Sequence, residues 1–139
     1  MALRAALSPL VLDTHAWVWW VTRPEKLSRR QRAAIERSLR ASRDPLLVSI
    51  ISCWEVALLA QRGRLRFSIP AEAWLDQATK LPGLDIVPLS LGIVSSAVRL
   101  PQLRDPADQL VVATALERGA RLVTSDARIA ETEIVPVIA

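Results

Sequence analysis

The sequence predicts an α/β protein in which a mostly parallel sheet of about five strands is covered by helices on both faces. Three observations predict it. Five short runs are almost wholly apolar, the pattern of strands buried on both sides rather than one. Helically patterned stretches separate those runs, as parallel strands require of their connections. One such stretch, LVVATAL at residues 110–116, is apolar nearly all round, as in a helix pressed into the centre of the molecule.

In chain order, residues 9–13 (PLVLD) form the first strand and end in an acid, and residues 14–21 form a helix. Residues 28–42 form an amphipathic helix: Leu27, Gln31, Ala34, Ile35, Ser38 and Leu39 share one side, while Arg29, Arg30, Arg32, Arg37, Arg40 and Arg43 fall on the other. Ser28 with Gln31 supplies its capping box. The second strand (46–50) leads into a helix at 52–62, for which Ser52-x-x-Glu55 is a second capping box. A helix at 70–81, a third strand at 84–89 and a helix at 90–100 follow. The helix at 106–118 opens on Asp105 as N-cap with Pro106 in the first helical position. Strands at 121–126 and 133–138 complete the sheet. With no repeat, low-complexity tract or long linker, residues 1–139 are expected to form one domain.

Composition narrows the function. The chain is 51% hydrophobic with a mean hydropathy of +0.25, enough for a substantial core. No stretch approaches the ~20 uncharged residues of a membrane span. The opening MALRAALSPLVLD is broken by Ser8 and Pro9 and closed by Asp13, so no signal peptide is expected and the protein is placed in the cytoplasm. A single cysteine, Cys53, and a single histidine, His15, exclude a disulfide framework, a cysteine zinc site and a histidine cluster. Cys53 is expected to serve as a small buried hydrophobe. Any metal must then sit on oxygen.

The net charge of +4 hides a division. Residues 23–43 carry eight basic and two acidic side chains, a net of +6, so the remainder sums to −2. Arg62, Arg64 and Arg66 form a second basic cluster. A basic surface of this kind favours an acidic partner such as nucleic acid.

Ligands of open α/β sheets gather beyond the carboxyl ends of the strands. Asp13 and Asp126 end strands, and Glu55 and Asp108 fall in the first turns of helices that open toward the same edge. Capping accounts for each acid singly, least well for Asp13, because Thr14 can supply that cap. Together, four converging carboxylates repel one another, and a hard divalent cation removes the conflict. Mg²⁺ or Mn²⁺ suits such a set better than zinc. An ion held there polarises a phosphoryl oxygen and acidifies water for attack on a phosphodiester, with arginines holding the backbone. This describes a nuclease that needs no His, Cys or Lys in catalysis.

VLDTHAWVWW (11–20), SIISCWEVALL (49–59), RDPADQLVVATAL (104–116) and LVTSD (122–126) occur in the order and spacing of a PIN-domain protein. The chain resembles the VapC-type toxin ribonucleases of bacterial type II toxin-antitoxin systems over nearly its whole length. The resemblance implies a three-layer α/β/α sandwich, Mg²⁺-dependent RNA cleavage with Mn²⁺ as a substitute, a small antitoxin as partner, and a homodimer. It assigns Asp13, Glu55, Asp108 and Asp126 as metal ligands and catalytic acids. It makes Asp105 the accessory acid of a DP-x-D pattern, although an N-cap role is favoured there. Thr14, Thr124 and Ser125 stand beside acids as accessory hydroxyls. Gln109 departs from the pattern, standing where many relatives carry Arg. Arg29, Arg30, Arg32, Arg37, Arg40, Arg62 and Arg64, with Trp17 and Trp20, are the residues expected to meet RNA or the partner protein.

Two other readings compete. One is a catalytically silent PIN-like RNA-binding or regulatory module, for which Gln109 is the only sign. The other is a phosphoacceptor domain of the response-regulator type, disfavoured because the only lysines, Lys26 and Lys80, lie away from the late strands.

Overall fold

A computed structural model describes residues 9–41 and 45–139. Arg43, the expected helix end at residue 42 and the absence of a signal peptide at the N-terminus fall outside those residues. Strand β1 (Leu10–Leu12) lies at the centre of a five-stranded, wholly parallel sheet. Its neighbours are β2 (Leu46–Ser49) and β4 (Arg121–Val123); β3 (Leu84–Val87) and β5 (Val137–Ile138) form the edges, in the order β3-β2-β1-β4-β5.

Side chains alternate across the sheet, so adjacent residues enter different layers. Leu10, Leu12, Leu46, Val48, Val123 and Ile138 face one core. They meet α1 (Thr14–Thr22), α2 (Arg29–Ala41), α3 (Ile50–Gln61) and α4 (Ala71–Ala78). Val11, Leu47, Val87 and Leu122 face the other, under α5 (Leu91–Ala97), α6 (Pro106–Arg118) and α7 (Ala127–Thr132). The expected three layers are therefore present. Residues 111–115 of α6 are all buried, as the all-round apolar pattern predicts. Gly119, in the left-handed region at φ 59°, closes that helix.

Local signals account for most helix starts. Ser28 and Gln31 make both bonds of the capping box: the Ser28 amide donates to Gln31 Oε1 (2.9 Å) and the Gln31 amide to Ser28 Oγ (3.1 Å). Asp105 caps α6 by accepting from the Ala107 amide (2.8 Å), with Pro106 behind it.

Several expectations are corrected. Helix α3 starts two residues early, because Ser49 caps it by accepting from the Ile51 amide (3.1 Å). Ser52 is therefore not a cap; it lies buried within the first turn, and Glu55 moves to the second. Asp13, not Thr14, caps α1, accepting from the Ala16 amide at 2.8 Å. The first and fourth strands are shorter than expected because Asp13 and Asp126 leave them to cap the next helix, while Ser49 ends β2 and caps α3 at once. Helix α7, capped by Asp126 and closed by Glu133 at φ 54°, and a 3-10 turn at Pro24–Lys26 have no counterpart among the expected elements. Trp17 is fully buried; its ring lies 5.1 Å from that of Trp74, which stacks on Phe67 at 4.5 Å. It is a core residue and meets no partner. Trp20 is half-buried against the same cluster. Among the described residues, no helix is long and apolar enough to cross a membrane.

Candidate active site

Each acid reaches the carboxyl edge of the sheet from a different element. Asp13 follows β1, Asp126 follows β4, Glu55 projects from α3 and Asp108 from the first turn of α6. With Asp105, Thr14 and Ser125 they line one cleft of 410 Å³, so the sequence-predicted acids are brought together. A larger groove of 710 Å³ between α3 and α4, walled by Trp54, Leu65 and Phe67, holds Glu72 as its single acid and has no comparable chemistry.

The hydroxyls position the carboxylates. Thr14, buried, donates to Glu55 Oε1 and shares a hydrogen bond of 2.9 Å with Ser52 Oγ. The Thr124 hydroxyl donates to Asp13 and accepts from the Asp126 amide (3.1 Å). Ser125 points elsewhere: its hydroxyl accepts from Gln31 Nε2 at 3.1 Å, tying the cleft rim to α2.

Asp126 accepts from the Arg128 amide (2.9 Å) and Nε (3.2 Å) at Oδ1, and from Nη2 (3.0 Å) at Oδ2, which holds its carboxyl below the usual range. Burial pushes Asp13 up, against the Thr124 and Ala16 hydrogen bonds. Asp108 is pushed up to about 7, first by burial and then by the charges of Asp105, Glu55 and Asp126, with Arg128 opposing. Among the described residues no donor bonds to its carboxylate. A site with this excess of negative charge and only oxygen donors suits a hard divalent cation.

As placed, no three acidic, His or Cys side chains among the described residues are grouped closely enough to hold an ion. Three of the four carboxylates instead satisfy themselves with protein donors: Asp13 with Ala16, Glu55 with Thr14, and Asp126 with Arg128. The donor set therefore fits a metal in kind, and the Thr14 bond engages only Oε1 of Glu55.

The basic residues divide. Of the seven arginines expected to bind RNA or a partner, Arg64 lines the cleft. Arg29, Arg30, Arg32, Arg37, Arg40 and Arg62 are exposed elsewhere. Helix α2 runs against the strand direction: Gln31 bonds Ser125 at the carboxyl edge, whereas Leu39 touches Gly83, just before β3 begins. Arg37 and Arg40 thus point away from the cleft edge. Sequence reasoning missed Arg128 and Trp19, which also line it. The one available signal for Arg128 was its spacing two residues beyond Asp126.

The PIN domain family model matches residues 10–135, spanning all four acids. The chain belongs to the PIN-domain family. It is 38% identical over 125 residues to Ribonuclease VapC22 of Mycobacterium tuberculosis, covering 88% of this chain and 91% of that protein. Its fold is similar to that in the crystal structure of VapBC2 from Rickettsia felis bound to a promoter DNA fragment (TM-score 0.70, 14% identity, 94% of this chain and 97% of that one). It is also similar to FitAcB from Neisseria gonorrhoeae (TM-score 0.66, 18% identity, 94% and 96%). In this PIN domain Gln109 braces the backbone. Its Nε2 donates to the carbonyls of Leu100 (3.0 Å) and Leu103 (2.6 Å), fastening the loop that precedes α6.

Proposed function

We propose that this PIN-domain chain is a divalent-metal-dependent endoribonuclease, acting as one domain in the cytoplasm as the toxin of a type II toxin-antitoxin pair. The observation that carries the reading is the convergence of Asp13, Glu55, Asp108 and Asp126 on one cleft, with Asp108 raised to about 7 by burial and its acidic neighbours. The 38% identity to a named ribonuclease supports the RNA substrate. Mg²⁺ is the natural ion and Mn²⁺ its substitute, each accepting oxygen donors. Bound ion supplies Lewis acidity to the phosphodiester and the attacking water. The protein's own share is placement. Thr14 and Thr124 fix Glu55 and Asp13, α6 presents Asp108, and Arg64 and Arg128 offer cations to the phosphate backbone.

The antitoxin partner is acidic or mixed in charge and carries an apolar anchor. The groove beside α3 exposes Trp54 (55%) and has Arg66 on its wall, with Arg62 and Arg64 next in sequence. Trp54 thus takes the part expected of Trp17. A homodimer completes the assembly.

Purified protein freed of any partner is expected to cleave RNA with Mg²⁺ or Mn²⁺, and Asp13→Asn to abolish cleavage. Metal-independent cleavage that survives the substitution would refute the assignment. Titration calorimetry showing no divalent-ion binding to the folded protein would favour a silent RNA-binding module.

A further inference from the structure

The first turn of α1 brings more to the cleft than a carboxylate and a hydroxyl. His15 is exposed, lines the cleft with Asp13, and hydrogen-bonds to no group among the described residues. Its ring lies 5.9 Å from that of Trp19, one helical turn on, at an angle of 57°. Trp19 is half-buried, packs on the core and also lines the cleft. Lys26, from the 3-10 turn, holds its ammonium 5.9 Å from the centre of the Trp19 ring. Imidazole and ammonium thus each lie near the Trp19 indole, which packs on the core. The metal chemistry assigned above uses none of them.

We infer that His15 and Trp19 form a platform on which an unpaired nucleobase of the substrate stacks beside the acidic floor. This rests on the ribonuclease reading and deepens it. Every base has a π-face, and stacking on aromatic side chains is a sequence-tolerant way to hold a single strand. In a duplex, neighbouring base pairs already cover those faces. The surroundings suit a backbone as well as a base: Lys26 lies near the Trp19 ring, and Arg64 and Arg128 line the same cleft. His15 offers the open ring, and Trp19, held by the core, is the positioning residue that fixes it.

The test uses the full chain and three RNAs: a fluorescein-labelled single strand with one cleavage site, the same strand lacking the base beside that site, and the labelled strand annealed to its complement. Binding is read by anisotropy in EDTA and cleavage with Mn²⁺. His15→Ala is expected to weaken single-strand binding and raise KM about tenfold while leaving kcat within a few fold. His15→Phe, which stacks but carries no proton and bonds no phosphate, is expected to restore both. The abasic strand is expected to bind the wild type as weakly as the intact strand binds His15→Ala, and the annealed RNA to be cut poorly. Trp19→Leu, with its thermal midpoint measured alongside, is expected to reproduce the His15→Ala defect. Unchanged KM in His15→Ala, or no rescue by His15→Phe, overturns the platform and leaves the nuclease standing. A wild type that cleaves none of these RNAs with Mn²⁺ overturns the ribonuclease reading and the platform with it.

Discussion

Asp108 carries a charge that its surroundings oppose. Its carboxyl pKa of about 7 lies above the ordinary value of 3.8, so between those limits the folded chain keeps a proton that the unfolded chain releases. Where the native state binds more protons, stability falls as pH rises. The thermal midpoint of the metal-free protein is therefore expected to drop between about pH 4 and pH 7. Asp108→Asn should flatten that slope and exceed the wild type at the upper end. A wild-type midpoint that is level across this range would contradict the electrostatic account. Raised Asp13 acts in the same direction, so some slope persists in the variant. Gly83 poses a different constraint. Its φ is +84° and an added Cβ would lie 2.6 Å from Leu39 Cδ2. The leucine methyl can yield, but the backbone cannot, so Gly83→Ala is expected to lose about 1–3 kcal/mol in denaturant unfolding.

Helix termini carry much of the site's placement, and two of them give predictions. Asp105 accepts from the Ala107 amide, so Asp105→Ala should cost about 1 kcal/mol of stability. Cleavage is expected to survive that change; its complete loss would show that the carboxylate serves the cleft directly. Gln31, fully buried, closes the box of α2 and donates to Ser125 and to the Ile138 carbonyl. Gln31→Ala is expected to cost about 1–3 kcal/mol in denaturant unfolding, because it leaves buried groups unpaired. The amphipathic stripe and box of α2 and the apolar circumference of α6 were legible because their signals lie within a few residues. The start of α3 was not. Ser49 and Ser52 are both good caps, and the choice depends on Ser52 meeting Thr14, 38 positions away. Helix α7 escaped notice because six residues with one buried side chain, Ile129, give no period. Asp13 and Asp126 were legible from strand-end position and Glu55 and Asp108 from helix starts, whereas Trp19 reaches the cleft from within α1 and Arg128 from the first turn of α7, a helix that no pattern announces.

At the scale of the whole molecule the charge division is real but its geometry differs from a basic rim. Helix α2 carries its arginines from the carboxyl edge toward the opposite one, so only its first turn adjoins the cleft. A separate surface is apolar. Leu89, Leu91, Val94, Val98 and Leu116 are exposed, Leu91 by 84% and Val98 by 73%. Glu117 lies against Gly92, Arg118 is exposed at the end of α6, and Arg99 is exposed just beyond α5. A patch bordered by both signs suits a two-fold pairing with a second copy, in which each charge meets its opposite. Sedimentation is expected to show a dimer for the wild type and a monomer for Leu91→Glu with Val98→Glu. A wild type that stays monomeric at high concentration would remove the pairing.

The central place of β1 governs when the cleft can exist. Leu10 lies opposite both Leu46 and Arg121, so β1 pairs with strands that are near and far from it in sequence. Asp13 precedes Thr124 and Asp126 by more than a hundred residues, and they stand beside it only where β4 pairs with β1. A nascent chain still short of residue 126 holds three of the four acids on an unfinished sheet. Such a chain lacks Asp126 and the Thr124 bond to Asp13, so the completed cleft depends on the pairing of β1 with β4.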